Sequence, residues 1–196
     1  MIHPVRIDEN HKYWVPAPEP PRELLVPGFT HIAESLGFIQ ENPFYTDSGR
    51  EEGIALHKWL RHIAQGKPIL TKPDERIAGR VEAILKFIAE TGFKFAGGEE
   101  PRYDPVNRFA CTPDLWGYIG SWTWDLDAKR GEELPHHRLQ TAAQSIALAA
   151  NGFRAQKRGC LYLKDGSYRL KEHIDSRDIP AWKQIVSTYY LKGAYQ

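Results

Sequence analysis

Asp114, Asp125, Asp127 and Lys129 are the residues whose types and spacing point most directly to chemistry. They flank Gly120-Ser121 in the stretch from Thr112 to Lys129. Glycine first in a two-residue loop suits a type II′ turn, so the stretch is predicted to be a β-hairpin. Pairing outward from that turn sets Ile119 against Trp122, Tyr118 against Thr123, Trp116 against Asp125, and Asp114 against Asp127. Alternation puts Asp125, Asp127 and Lys129 on one face and pairing adds Asp114 to it, while Trp122, Trp124 and Leu126 take the opposite, core-facing side. Opposed carboxylates roughly 5 Å apart repel. A divalent cation such as Mg²⁺ or Mn²⁺, which prefers oxygen ligands, is the simplest compensation. Two acids and a lysine around a hard cation form a site able to cleave a phosphodiester. On spacing alone, a solvated strand face carrying Asp-x-Asp-x-Lys stays open.

The elements that must position this hairpin are legible in outline. Residues 1–29 hold Val15-Pro-Ala-Pro-Glu-Pro-Pro21 and Pro27 and read as an extended arm of polyproline character, with Trp14 as a candidate anchor. Thr30 to Gly37 is predicted as a short helix capped by Thr30, and Asn42-Pro43 as a break in the loop that follows. Ser48-Gly-Arg-Glu51 has the form of a capping box opening a helix to about Gln65, with Ile54, Leu56, Leu60 and Ile63 as its apolar side. His57 borders that stripe, where packing at the core edge is the simpler reading. A second helix spans Asp74 to about Thr91, with Ile77, Val81, Ile84, Leu85 and Ile88 facing inward and Gly92 as its stop. A strand starts at Phe93, and a short strand or loop surrounds Tyr103. A helix from about Pro135 to Ala150 carries Gln140 and Gln144 one turn apart on one face. Two strands around Asp165-Gly166 and a helix from Pro180 to about Tyr190 complete the chain. This order predicts a central sheet flanked by helices, hence α/β or α+β.

Composition narrows the class. At 196 residues, one domain with or without an arm is expected. No apolar run reaches a membrane span, and the N-terminus lacks the apolar stretch of a secretion signal, so a cytoplasmic chain is expected. Cys111 and Cys160 are too few for a four-cysteine cluster and read as reduced core thiols. A net charge of +1 argues against a general basic coat, yet allows a basic channel balanced by an acidic site.

Gly53-x-x-x-His57, Glu99, Thr112-Pro-Asp114, Asp127-Ala-Lys129 and Gln140 follow one another in an order that resembles the PD-(D/E)XK nuclease superfamily. The resemblance is to its RecB-like branch and to small phage and mitochondrial-type single-strand exonucleases, and it covers about residues 30–175. It implies a restriction-endonuclease-like fold, a mixed sheet flanked by helices, over residues 30–196. Position by position, it implies Asp114 and Asp127 as metal-binding acids, Ala128 as a carbonyl ligand and His57 as a further ligand. Lys129 would be the catalytic lysine, and Gln140 the motif glutamine near the substrate backbone. Glu99 holds the place of the helper acid, with Glu100 as its alternative. Cys111 stands where the family has Gly, and Gln144 where it has Tyr.

The activity implied is metal-dependent DNA hydrolysis leaving 5′-phosphates, most directly by an exonuclease acting on single- or double-stranded ends. Recombination, repair or phage genome processing would be its setting, and a host cytoplasm its location if phage-encoded. A structure-specific endonuclease and a non-catalytic nucleic-acid or assembly module on the same fold are the alternatives. A single-strand annealing protein or a recombinase is the candidate partner, and no membrane is implied. Arg50, Arg102, Arg108, Arg130 and Arg138, with His136 and His137, are candidates for phosphate contacts. Trp14, Phe44, Tyr45 and Trp59 are candidates for base stacking.

Overall fold

The hairpin forms the middle of a five-stranded sheet in a computed structural model that describes residues 2–17, 22–39 and 46–194. Phe44, Tyr45 and the Asn42-Pro43 break lie outside the described residues. The chain begins with β1 (Arg6–Ile7), β2 (Tyr13–Pro16) and β3 (Glu23–Val26), followed by α1 (Phe29–Ser35), α2 (Asp47–Ala64) and α3 (Glu75–Thr91). Strands β4 (Lys94–Gly97), β5 (Arg102–Asp104), β6 (Phe109–Cys111), β7 (Leu115–Ile119) and β8 (Trp122–Lys129) come next. Then come α4 (His137–Ala150), β9 (Lys157–Lys164), β10 (Ser167–Glu172) and α5 (Asp178–Ala194).

The central sheet has the order β10-β9-β8-β7-β4. It is mixed: β8 and β9 run parallel, joined through α4, and the other neighbours are antiparallel. One face packs Leu115, Trp124, Leu126, Leu161 and Leu163 against Leu56 and Leu60 of α2 and Ile77, Val81, Ile84 and Phe87 of α3. A second cluster joins α1, α4 and α5 around Trp182, with Phe29, Phe109, Ala142 and Ala143. The sheet is therefore covered on both sides, which is what brings acidic residues of β8 into the interior. Among the described residues no helix is long and apolar enough to cross a membrane.

Over residues 2–17 and 22–29 the structure differs from the extended arm expected of the prolines; Pro18 to Pro21 lie outside the described residues. In place of an extended arm, β1, β2 and β3 form an antiparallel sheet. Tyr13, Val15 and Val26 bury one side of it against Ala110, and Ala110 N–H donates to Pro27 O at 3.0 Å. Alternate residues of β2 (Tyr13, Val15) supply an apolar face that the proline count hides.

Helix ends follow from the donors available. Thr46, not Ser48, caps α2, because its Oγ1 accepts from Gly49 N–H at 3.1 Å. Gly28 rather than Thr30 precedes α1, and Thr30 lies within its first turn. Asp74 caps α3 by accepting from Arg76 N–H at 2.9 Å, and Gly92 stops it in the left-handed region at φ 65°. Leu85 and Ile54, both expected inside, are exposed. Helix α4 starts at His137, two residues past the expected Pro135, and α5 starts at Asp178, two residues before Pro180.

Candidate metal centre

The hairpin has the register its turn predicts: Ile119 faces Trp122, Tyr118 faces Thr123 and Trp116 faces Asp125. Gly120 has φ 58° and Ser121 is not in the left-handed region, as a type II′ turn requires. Asp114 sits just before β7, and its Oδ2 accepts the Ala128 N–H at 2.7 Å, so Asp114 reaches the end of β8. Ala128, expected to act through its carbonyl, meets Asp114 through its amide. Asp125 and Asp127 are both 0% exposed, which removes the solvated-face reading of Asp-x-Asp-x-Lys. Trp122, expected in the core, is exposed, and Lys157 Nζ lies 5.2 Å from its ring centroid.

Glu99 enters from the loop after β4. A Cβ on Gly98 would stand 2.7 Å from Asp114 O, so only glycine lets the loop approach this closely. Glu99 itself takes φ 56°, an unfavourable value for a residue with a Cβ. Its N–H donates to Pro113 O at 2.9 Å, and Arg61 Nη2 donates to its carbonyl at 2.6 Å. The carboxylate then meets His57, with Oε1 2.6 Å from Nδ1, and Asp114 Oδ1 lies 3.6 Å from the same nitrogen. One donor atom from each of His57, Glu99 and Asp114 lies within 4.8 Å of the other two. Glu100 turns away and pairs with Arg102 at 2.6 Å, so of the two candidate acids Glu99 faces the cluster.

Asp127 stands beside this trio. Its Oδ1 accepts from Gln140 Nε2 at 2.9 Å and from Gln144 Nε2 at 2.8 Å. Its buried Oδ2 pairs with Lys129 Nζ at 2.5 Å. Lys129 also donates to Gln140 Oε1 at 2.9 Å. Geometry thus places Glu99, read from sequence as a helper, inside the trio, and Asp127 in a separate amide-and-lysine network. Arg61 carries no signal in the sequence; Gln144, one turn from Gln140 and at the position where the resembled family has Tyr, gains its role only from the contact with Asp127.

Charge is crowded here. Burial and the neighbouring Asp127 push the Asp114 carboxyl well above its ordinary range. Burial works against a charged His57, yet Asp114 and Glu99 outweigh it and push the imidazole up to about 9. Burial likewise opposes the Lys129 cation, and Asp127 and Asp114 overcome it. Without another cation, protons on His57 and Lys129 offset the acids.

Asp125 belongs to a different environment. Ser145 Oγ donates to its Oδ2 at 2.7 Å, and among the described residues its Oδ1 has no partner. Burial pushes its carboxyl from 3.8 up to about 8. A raised folded-state value means that the folded chain holds a proton the unfolded chain has lost, so stability falls as pH rises through that window. Asp125→Asn keeps an acceptor for Ser145 and carries no titration. In chelator-treated protein it should raise Tm by an amount that grows from pH 4 to pH 8 and then levels off, reaching several degrees on the order of 2–4 °C per kcal/mol. Melting curves across that range check this.

A cleft of about 1470 Å³ opens over the cluster and reaches His57, Glu99, Asp114, Lys129, Gln140 and Gln144. Arg50 and Arg108 line it, as does His136. Three other predicted phosphate contacts are engaged elsewhere: Arg102 with Glu100, Arg130 with Glu52 at 3.3 Å, and Arg138 with Asp175 and Asp178. His137 is buried against Tyr162 Oη at 3.0 Å, and burial pushes it down to about 4. Trp14 donates to Asp8 at 2.9 Å and Trp59 packs at the core edge, so neither lines the cleft. Cys111 and Cys160 are buried free thiols, as expected.

No family model matches the chain, and no curated protein matches it. Among solved structures it is similar to a protein from Eubacterium rectale described as a "putative exonuclease", with 9% identity over 84% of this chain and 71% of that one, at a TM-score of 0.47. It is also similar to the protein SSO0001, with 13% identity over 82% of this chain and 81% of that one, at a TM-score of 0.36.

Proposed function

We propose that the chain is a divalent-metal-dependent deoxyribonuclease of PD-(D/E)XK type, cutting phosphodiesters by an exonuclease mode and leaving 5′-phosphates. The observation that carries this reading is the convergence of His57, Glu99 and Asp114 in one cleft that Lys129 also lines, with Asp127 paired to Lys129. The donor set fits Mg²⁺ or Mn²⁺: carboxylate oxygens and one imidazole, with the buried Asp127 carboxylate close by. His57, Glu99 and Asp114 would hold the ion, with Asp127 adjacent. When bound, such an ion supplies Lewis acidity that lowers the pKa of water and offsets charge on a phosphate.

The chain's own groups do the rest. Lys129 keeps its proton because Asp127 and Asp114 hold it there, which makes Nζ a fixed positive charge for the phosphate oxygens as negative charge builds. Gln140 bridges Lys129 and Asp127, fixing the spacing of the two charges. Gln144 holds Asp127 from the same side. Arg50 and Arg108 supply cations along the cleft for the substrate backbone.

End-labelled linear DNA should be degraded with Mg²⁺ or Mn²⁺ and spared with EDTA. Lys129→Ala should still bind DNA while losing turnover by roughly 10²–10³-fold, the usual effect of removing one group that stabilises transition-state charge. A wild-type chain inert on single- and double-stranded DNA with either metal would sink the proposal.

A further inference from the structure

One face of α2 meets the short loop that carries Glu99. His57, Arg61 and Ala64 stand four and then three positions apart, so they form a single stripe along the helix. His57 Nδ1 lies 2.6 Å from Glu99 Oε1, and Arg61 Nη2 donates to Glu99 O at 2.6 Å. A Cβ on Gly98 would stand 3.0 Å from Ala64 Cβ, so the loop lies directly against the same stripe. The helix therefore holds both ends of one residue, its carboxylate through His57 and its carbonyl through Arg61.

Glu99 needs both. Its φ of 56° is left-handed, and a residue with a Cβ leaves that region unless its surroundings impose it. A return to negative φ would re-aim its side chain away from His57 and Asp114. The amide side of Glu99 is tied to Pro113 O at 2.9 Å, and Arg61 supplies the tie on the carbonyl side. Arg61 is exposed and lines the cleft, yet among the described residues it has no acidic partner. Its guanidinium is spent on a backbone carbonyl instead, which is what holding a loop requires.

We propose that Arg61 is a positioning residue for the cation site: it pins the left-handed Glu99 so that the carboxylate meets His57 and Asp114. The role rests on the reading of those three as a metal site, and it names what keeps the site assembled. Arg61 acts through Glu99 and is not itself a ligand.

The sign of one measurement separates this role from a charge effect. A guanidinium repels a nearby cation, so by electrostatics alone its removal should tighten Mn²⁺ binding. Loss of the tie on Glu99 should weaken it. In calorimetric titration of chelator-stripped protein, Arg61→Met should bind Mn²⁺ roughly 10- to 100-fold more weakly than wild type, the usual cost of removing a group that orients a metal ligand. Because Arg61 is exposed, the variant should give the circular dichroism spectrum of the wild type. Glu99→Gly removes the carboxylate and suits φ 56°, so in that background Arg61→Met should cause no further weakening. Binding in Arg61→Met equal to or tighter than wild type would overturn the proposal, as would the same weakening in the Glu99→Gly background. Either result leaves the metal site standing, whereas a wild-type chain that binds no Mn²⁺ would remove the metal reading and this role with it.

Discussion

Asp114→Asn is expected to abolish turnover and at the same time to raise the thermal stability of the metal-free protein. The two effects have one cause. Asp114 is buried, and burial together with Asp127 drives its carboxyl well above the usual range, so an ionised Asp114 costs free energy in the folded state. A raised folded-state value gives stability below the unfolded value that is lost as pH rises, so at neutral pH the acid is a burden. Asparagine keeps an oxygen to accept the Ala128 N–H and removes that burden. It also removes one of the two carboxylates of the trio, and turnover should fall by roughly 10³-fold or more, the upper range for loss of one electrostatic stabiliser. Tm in EDTA should rise by several degrees at pH 7 to 8, with a smaller gain near pH 5. A variant that melts lower than wild type in EDTA at pH 8 would contradict the crowding of charge described for this site.

The second large effect is a pH dependence of metal affinity. A nitrogen that ligates a cation must give up its proton first. In the metal-free chain Asp114 and Glu99 overcome the burial of His57 and push its imidazole up to about 9. Protons and metal ions therefore compete for the same cluster over the whole physiological range. Apparent Mn²⁺ affinity should rise at least tenfold for each pH unit below about 9 and flatten above it, with about one proton released per ion. Asp114, shifted in the same direction, steepens that dependence. His57→Ala should bind Mn²⁺ more weakly at pH 9 and with a shallower slope. Titrations in two buffers of different ionisation enthalpy count the released protons directly.

Much of the hairpin was legible because its determinants are local. A glycine-first turn and period-two alternation fix which residue faces which, and the register of Trp116 and Asp125 followed from those alone. What covers each face is not local. Alternation separated Asp125 and Asp127 from Trp124 and Leu126, yet the burial of the acids depends on α4 packing over their side and that of Trp124 and Leu126 on α2 and α3. Gln140 and Gln144 shared a helix face in the sequence, but that both would donate to one oxygen of Asp127 needed the helix in place. Glu99 was harder, because a left-handed glutamate leaves no pattern in sequence; only the glycines before it hint at a tight approach. The N-terminal sheet was missed because prolines dominate residues 15–21, while the strands rest on Tyr13, Val15 and Val26 and their long-range packing on Ala110. Thr46 displaced the expected Ser48 cap because two hydroxyls lie within reach of the same helix end and only geometry chooses between them.

The role of His57, Glu99 and Asp114 as a divalent-cation site is tested most directly by calorimetric titration of chelator-stripped protein with Mn²⁺ at pH 8.5. Saturable binding of one or two ions in the wild type is expected, with strongly weakened binding in Asp114→Asn that still folds. Absence of binding at millimolar Mn²⁺, or equal binding in Asp114→Asn, would contradict it.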